Sequence, residues 1–249
     1  MIKKTKIRLD QLLVDKNLAD SKTKAQSMIM AAQVLVNDKI VTKSGNTFKT
    51  DSNIIIKQLH SRWVSRGALK LLEAIQYFKI DIKNKTCLDI GSSTGGFSDV
   101  LLQHNAKKIY SVDVGTNQLH EKLKKEKKII SIENFNAKYL DNSIISEKID
   151  LVVCDVSFIS LKKVILPSLK LLSNKSEIIA LIKPQFETEK INLKKGVVKD
   201  AATHKMVCDN IENWFRNNCE ANVIGLIKSP ITGPKGNIEF LIYSILEKP

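Results

Sequence analysis

Asp89, Gly91, Gly95 and Gly96 fall within the run Cys87-Leu88-Asp89-Ile90-Gly91-Ser92-Ser93-Thr94-Gly95-Gly96-Phe97. It reads as a buried strand that ends in an acidic, glycine-rich turn and opens a helix. Such a turn holds nucleotide-like cofactors, because glycine lets the backbone bend and approach a ligand with no Cβ in the way. The spacing then selects among them. A dinucleotide-binding turn requires G-x-G-x-x-G, and the residue two past Gly91 is Ser93. A carboxylate at Asp89 would repel a phosphate but suits a sulfonium and an amino group. The turn, Asp89 to Phe97 with Ser92 and Thr94, therefore favours S-adenosylmethionine over NAD.

Asp113 follows the turn by about twenty residues, where a carboxylate can accept both hydroxyls of a ribose; the alternative is a helix cap. Asn136 is placed to face an adenine or simply to make a turn. Asp155 and Lys183 fall at the carboxyl ends of predicted strands, Glu239 lies within the last one, and Lys70 lies on the helix before the first strand. Two lysines and two carboxylates converging beside a cofactor would form an alternating charge network. A second ammonium and the exclusion of water depress one lysine's pKa there, which makes it a general base. Its task would be to orient or deprotonate a ribose hydroxyl for in-line methyl transfer. The competing reading is ordinary surface ion pairing. Proline after Lys183 holds that residue extended, with its side chain leaving the strand end. Ser157-Phe158-Ile159 and Ser229-Pro230-Ile231-Thr232-Gly233 read as further loops on the same rim, and Phe158 and Phe186 could stack on bases or belong to the core.

The elements that must position these residues alternate in the α/β manner. Strands are predicted at 86–90, 108–112, 129–132, 149–154, 177–182, 222–227 and 237–246, with helices at 67–78, 95–104, 117–126, 160–172 and 203–217. This specifies a parallel sheet covered by helices, with ligands at the carboxyl edge of the strands. Ahead of it, residues 7–30 show helical periodicity in two segments, and Val34-Leu35-Val36 and Ile54-Ile55-Ile56 are β-rich, with Asn37-Asp38 as a turn signal. The expected division is a small domain over 1–61, a linker at 62–66 and a large domain over 67–249.

The 249 residues carry a net charge of +14. Residues 1–66 hold thirteen Lys/Arg against five Asp/Glu, a net of +8, and the remaining residues hold a net of +6. A front module that binds nucleic acid accounts for the asymmetry; a lysine-rich proteome is the plain alternative. Cys87, Cys154, Cys208 and Cys219 are scattered without C-x-x-C spacing or adjacent histidines, so neither a metal site nor a disulfide framework is expected. The start of the chain shows no apolar targeting segment, and no stretch approaches the ~18 apolar residues of a membrane span. The expectation is a cytoplasmic protein that makes no stable membrane insertion.

Seven stretches together resemble the TlyA family of rRNA 2′-O-methyltransferases, also named haemolysins, within the FtsJ-like group. They are Arg8 to Leu13, Val64 to Gly67, Asp89 to Phe97, Asp113 to Gly115, Asp155 to Leu161, Lys183 to Glu187 and Gly236 to Phe240. The resemblance spans essentially the whole chain. It implies an α+β S4-type RNA-binding domain joined to a Rossmann-like, seven-stranded, S-adenosylmethionine-dependent methyltransferase domain. It also implies a Lys-Asp-Lys-Glu tetrad, which falls on Lys70, Asp155, Lys183 and Glu239. The implied reaction is 2′-O-methylation of cytidine in large-subunit and, in some members, small-subunit ribosomal RNA, free or in ribosomal subunits, without a metal. RNA contact would fall to Arg8, Lys22, Lys24, Arg62 and Arg66. Lys22 stands where the family usually has arginine, and Ala68 where it usually has a second glycine. A membrane-acting haemolysin and a non-catalytic RNA-binding protein are the competing classes, and the oligomeric state stays open between monomer and weak dimer.

Overall fold

Residues 6–19, 21–30, 34–56 and 63–247 are described by the computed structural model. The chain divides into two compact units, Met1–Ser61 and Arg62–Pro249. The smaller unit runs β1 (Lys6–Arg8), α1 (Leu9–Asp15), α2 (Lys22–Met30), β2 (Val34–Val36), β3 (Lys39–Ile40), β4 (Thr47–Lys49) and β5 (Ile54–Ile56). Its helices supply Leu9, Leu13, Ala25 and Ile29 to a core closed by Val34, Val36 and Val41. The Asn37-Asp38 turn has both residues at positive φ, 50° and 64°, as the tight hairpin between β2 and β3 demands. β2 pairs antiparallel with β3 and β5, and β1 with β4. Strands β1, β3 and β4 are only two or three residues long, too short to leave an alternating pattern in the sequence.

The larger unit contains α3 (Ala68–Phe78), β6 (Thr86–Ile90), α4 (Gly96–Gln103), β7 (Lys108–Val112), α5 (Glu121–Lys124), β8 (Ile129–Ile132), β9 (Ile149–Cys154), α6 (Lys162–Ser168), β10 (Leu172–Ile182), α7 (Pro184–Glu187), α8 (Ala201–Asn218), β11 (Asn222–Lys228) and β12 (Phe240–Glu247). The sheet order is β11-β12-β10-β9-β6-β7-β8. Strands β6 to β10 are mutually parallel, while β12 runs antiparallel to both β10 and β11. The sheet is therefore mixed, not the all-parallel sheet expected. The reversal brings the start of β12 to the edge where the parallel strands end.

Side chains alternate across the sheet. Leu88, Ile90, Val112, Val152 and Cys154 pack on the face covered by α6 and α8. Cys87, Ile109, Leu151 and Val153 pack on the face covered by α3 and α4. Burial on both faces explains why these strands read as continuous apolar runs. Chain order reverses at β6, which has β7 on one side and β9 on the other, so the crevice above β6 and β9 is the place where such sheets bind ligands.

Two helices are shorter than their sequence patterns: 160–172 is predicted helical where α6 covers Lys162–Ser168 and β10 already begins at Leu172, and α5 is cut further. Residues 117–126 are predicted helical, but α5 covers only Glu121–Lys124. The backbone N–H groups of Asn117, Gln118 and Leu119 instead donate to the Glu133 carboxylate at 2.6–3.0 Å, which replaces a first helical turn with a side-chain anchor.

Candidate active site

Gly91 continues β6 into the crevice, and its N–H donates to Val112 O at 2.8 Å. Its φ is +81°, and a Cβ there would stand 2.6 Å from Asp155 O. Glycine is thus required both by conformation and by the close approach of two strand ends. A cavity of about 450 Å³ opens beside it, lined among others by Ile90, Ser93, Asp113, Phe135, Asn136 and Asp155. Asp113 is fixed there, since its two oxygens accept from Ser93 N at 2.8 Å and Gly115 N at 2.7 Å. Asn136 lines the cavity, and its side chain makes the expected turn by accepting from Lys138 N at 3.1 Å.

A second cavity of about 220 Å³ shares Gly91, Ser93, Asp155 and Ser157 with the first, and adds Ser65, Ser92, Thr94, Gly96, Phe97 and Lys183. Ser65 reaches it because Val64 N donates to the buried Asp99 carboxylate at 2.9 Å. Gly96 leaves the space that the Ser65 hydroxyl occupies. Residues 63–66, read in the sequence as linker, therefore hold contacts inside the larger unit.

Asp89 and Gly95 are absent from both linings. Ile90 faces the cavity, so strand alternation turns Asp89 to the opposite side, under α4. There the Ser98 hydroxyl donates to it at 2.6 Å and meets Ser111 Oγ at 2.7 Å. Burial pushes the Asp89 carboxyl up to about 7, against the opposing Ser98 hydrogen bond. The expected role of Asp89 beside a sulfonium is corrected to that of a buried partner of α4. Gly95, at φ +92°, makes room for Leu119 and Leu123 and serves packing beneath the turn.

The four charged residues meet. Asp155 Oδ1 lies 2.6 Å from Lys183 Nζ, and its Oδ2 lies 3.0 Å from Lys70 Nζ. Lys70 Nζ also lies 2.8 Å from Glu239 Oε2, and Lys183 Nζ donates to Ser157 Oγ at 2.8 Å. Burial pushes the Asp155 carboxyl up, the two ammoniums pull it down, and the net direction is down. Each side chain arrives by a different route. Lys70 comes from α3 and Asp155 from the end of β9. Lys183 is extended at φ −111° and ψ 97° ahead of Pro184. Glu239 precedes β12, where a strand beginning at 237 was expected, and it is 1 % exposed. It lies against Gly233, where any Cβ would collide with its carboxylate.

Phe158, 90 % exposed and at φ 64°, packs against Phe186 in a tilted arrangement, 5.1 Å between ring centroids. The loop behind it is held by Glu187, which accepts from Ser160 Oγ at 2.7 Å and Leu161 N at 2.5 Å. Arg66, Lys22 and Lys24 are exposed. Arg8 donates to the buried Asp10 carboxylate at 3.0 and 2.7 Å, so it braces its own unit, and Arg62 lies outside the described residues. Sequence reasoning missed Glu133, Ser65 and Ser98 as parts of the site, because each acts on a residue of another element; Gly233 was read as rim loop, but not as the seat of Glu239.

The description FtsJ-like methyltransferase matches residues 63–245, and the S4 domain matches residues 7–54. The chain belongs to the FtsJ-like methyltransferase family. Within it, this methyltransferase is similar to Hemolysin A of Brachyspira hyodysenteriae, 40 % identical over 96 % of this chain and 100 % of that protein. It is likewise similar to the 16S/23S rRNA (cytidine-2′-O)-methyltransferase TlyA of Mycobacterium tuberculosis, 34 % identical over 95 % of this chain and 88 % of that protein. A solved structure from Streptococcus thermophilus that carries the hemolysin name superposes with a TM-score of 0.77 at 35 % identity, over 99 % of this chain and 90 % of that one. No helix among the described residues of this methyltransferase is long and apolar enough to cross a membrane. Among the same residues no group of three or more His, Cys, Asp or Glu is placed to hold a metal ion.

The crevice fits S-adenosylmethionine. The larger cavity pairs an anchored carboxylate, Asp113, with apolar walls at Ile90, Val112, Phe135 and Ile159, as a ribose and a planar base require. The smaller one continues past the Gly91 turn to Lys183.

Proposed function

We propose that this chain methylates the 2′-oxygen of a cytidine in ribosomal RNA, using S-adenosylmethionine. The observation that carries the reading is the chain of ion pairs Lys183–Asp155–Lys70–Glu239, which ends on the smaller cavity at Lys183. When bound, S-adenosylmethionine would supply an electrophilic methyl group on a sulfonium. Asp113 would hold the ribose hydroxyls, and Asn136 and the apolar wall would hold the adenine. The turn Gly91 to Gly96 presents backbone to the rest of the cofactor.

Lys183 orients the 2′-hydroxyl of the RNA and, in its neutral amine form, takes up the hydroxyl proton as the O–C bond forms and the methyl–sulfur bond breaks, a neutral thioether being the leaving group. Asp155 and the Ser157 hydroxyl fix the Lys183 amine in place. Lys70, held between Asp155 and Glu239, aligns Asp155 in turn and balances its charge. Burial of all four groups makes their attractions stronger than at a surface and excludes competing water. Phe158 stands where it can stack on a base of the bound RNA. The front unit, with Lys22 and Lys24 exposed, supplies the basic surface that docks folded rRNA, and Arg66 adds a charge on the larger unit.

The test is transfer of labelled methyl from S-adenosylmethionine to purified, unmodified small and large ribosomal subunits and to their free rRNAs. Wild type is assayed beside Lys183→Ala, with mass mapping of the labelled fragment. A 2′-O-methylcytidine made by wild type alone is the expected result. No transfer to any of these RNAs, with cofactor bound, would overturn the substrate, and full activity in Lys183→Ala would overturn the base.

A further inference from the structure

We propose that Lys194, Lys195, Lys199 and Lys235 form a preassembled groove for consecutive phosphates of the RNA strand that leads to the catalytic centre. This rests on the reading of RNA as the substrate. The four lysines and Val197 line a cavity of about 410 Å³, and all four lysines are exposed. None forms an ion pair with a carboxylate among the described residues, unlike the site lysines Lys70 and Lys183. Among the described residues, the polar contact made by these four Nζ atoms is a long one, Lys235 Nζ to Lys195 O at 3.5 Å. Against a net charge of +6 for residues 67–249, these four supply a concentrated share.

The groove is built rather than a chance gathering of flexible side chains. Lys194 and Val197 exchange both backbone hydrogen bonds, at 2.9 and 3.1 Å. They close a two-residue turn in which Lys195 and Gly196 have φ of 54° and 80°. Lys235 and Gly236 form a second such pair, at 59° and 83°. The buried Asn237 fastens one turn to the other: its Nδ2 donates to Gly196 O and Pro234 O, each at 3.1 Å, and its Oδ1 accepts from Val198 N at 3.2 Å. Lysine rarely adopts positive φ, yet it occupies that position in both turns. Holding the cations together in advance lowers the ordering cost of binding.

Position and charge name the ligand. Asn237 precedes Glu239 by two residues, or about 7 Å of extended chain, and Gly233 donates to Asn237 O at 2.9 Å while lying against the Glu239 carboxylate. The groove thus begins at the rim of the ion-pair chain. Four cations around one cavity exceed what one small anion neutralises and match a polymer that brings one charge per nucleotide.

The test compares the full chain with a variant carrying Lys194→Gln, Lys195→Asn, Lys199→Gln and Lys235→Asn, asparagine being chosen because it tolerates positive φ. Binding to purified unmodified 23S rRNA is measured across a salt series, with thermal unfolding and S-adenosylmethionine binding as checks on the fold. Affinity is expected to fall at least about tenfold. The slope of log K against log[salt] should shrink by roughly 0.7–0.9 for each phosphate that the variant no longer neutralises. An unchanged slope and affinity would overturn the groove. So would intact rRNA binding with loss of binding to phosphatidylserine vesicles. Wild-type binding without methyl transfer would instead overturn the proposed reaction, and the salt slope would still judge the groove.

Discussion

Lys183 Nζ lies 2.6 Å from Asp155 Oδ1, with the two side chains 8 % and 18 % exposed. Breaking a pair this enclosed leaves the Lys183 ammonium with the Ser157 hydroxyl but no counter-charge. Asp155→Asn is expected to lower the methyl-transfer rate at least about a hundredfold, with a clear drop in Tm. Single-turnover methylation beside a thermal melt reads both, and a wild-type rate would remove the carboxylate from the mechanism.

Gly233→Ala isolates Glu239. The φ of Gly233 is −73°, which alanine accepts, so the added methyl meets chiefly the Glu239 carboxylate. Displacing that carboxylate from Lys70 should cut kcat on the order of tenfold while S-adenosylmethionine binds as before. Kinetics and calorimetry on the same preparation check this, and weakened cofactor binding with intact kcat would contradict it.

Glu133 holds the loop that borders the larger cavity. Its carboxyl sits below its ordinary value of 4.5, chiefly because of the hydrogen bond from Leu119 N. A depressed carboxyl stabilises the fold above its unfolded pKa and loses that contribution as pH falls through the lower, folded value. Glu133→Ala should therefore weaken S-adenosylmethionine binding about tenfold, which calorimetry at pH 7 would measure. It should also make the folded chain less sensitive to acid below pH 4.5. Equal cofactor affinities would show that the loop needs no anchor.

Asp89 has the opposite sign. Its folded value of about 7 lies above the ordinary 3.8, so ionisation opposes folding, and stability present below the unfolded pKa is lost as pH rises towards 7. Asp89→Asn keeps an acceptor for Ser98 and removes the titration. The difference in unfolding free energy between wild type and variant should change between pH 4 and 7 with a slope of up to about 1.4 kcal/mol per unit. Denaturant melts at several pH values would show it, and parallel curves would mean that Asp89 stays ionised.

In the front unit, Arg8 and the lysines of α2 should separate. Arg8→Ala strips the buried Asp10 of its two guanidinium hydrogen bonds and should destabilise the unit by roughly 1–3 kcal/mol. Lys22→Ala with Lys24→Ala should leave the melt unchanged and weaken rRNA binding in a salt-dependent way. Binding and melting curves for each variant decide between bracing and docking. Unaltered rRNA affinity in the double lysine variant would remove α2 from the RNA surface.

Local patterns proved readable wherever the physics is local. The Gly91 turn, the Asn37-Asp38 hairpin and the extended Lys183 before Pro184 each follow from the conformational limits of a few adjacent residues. Strands β6, β7 and β9 were legible as apolar runs because both of their faces are buried. The extent of α5 was not, because Glu133 competes for its backbone donors from outside the segment. Nor was the lysine groove, since Lys195 and Lys235 lie 40 residues apart in the chain and exposed lysines leave no periodic trace.

The sequence alone determined the order of strands and helices, the glycine turn and the residue types of the charge chain, because composition, spacing and backbone limits act along the chain. Only the tertiary structure decided which way β12 runs and which face of β6 meets the cofactor cavity. A hydrophobic run has no direction and strand alternation has no absolute side until neighbours pair with it. Antiparallel pairing of β12 with β10 carried Glu239 to Lys70, and the packing of α4 over β6 turned Asp89 away from the cavity.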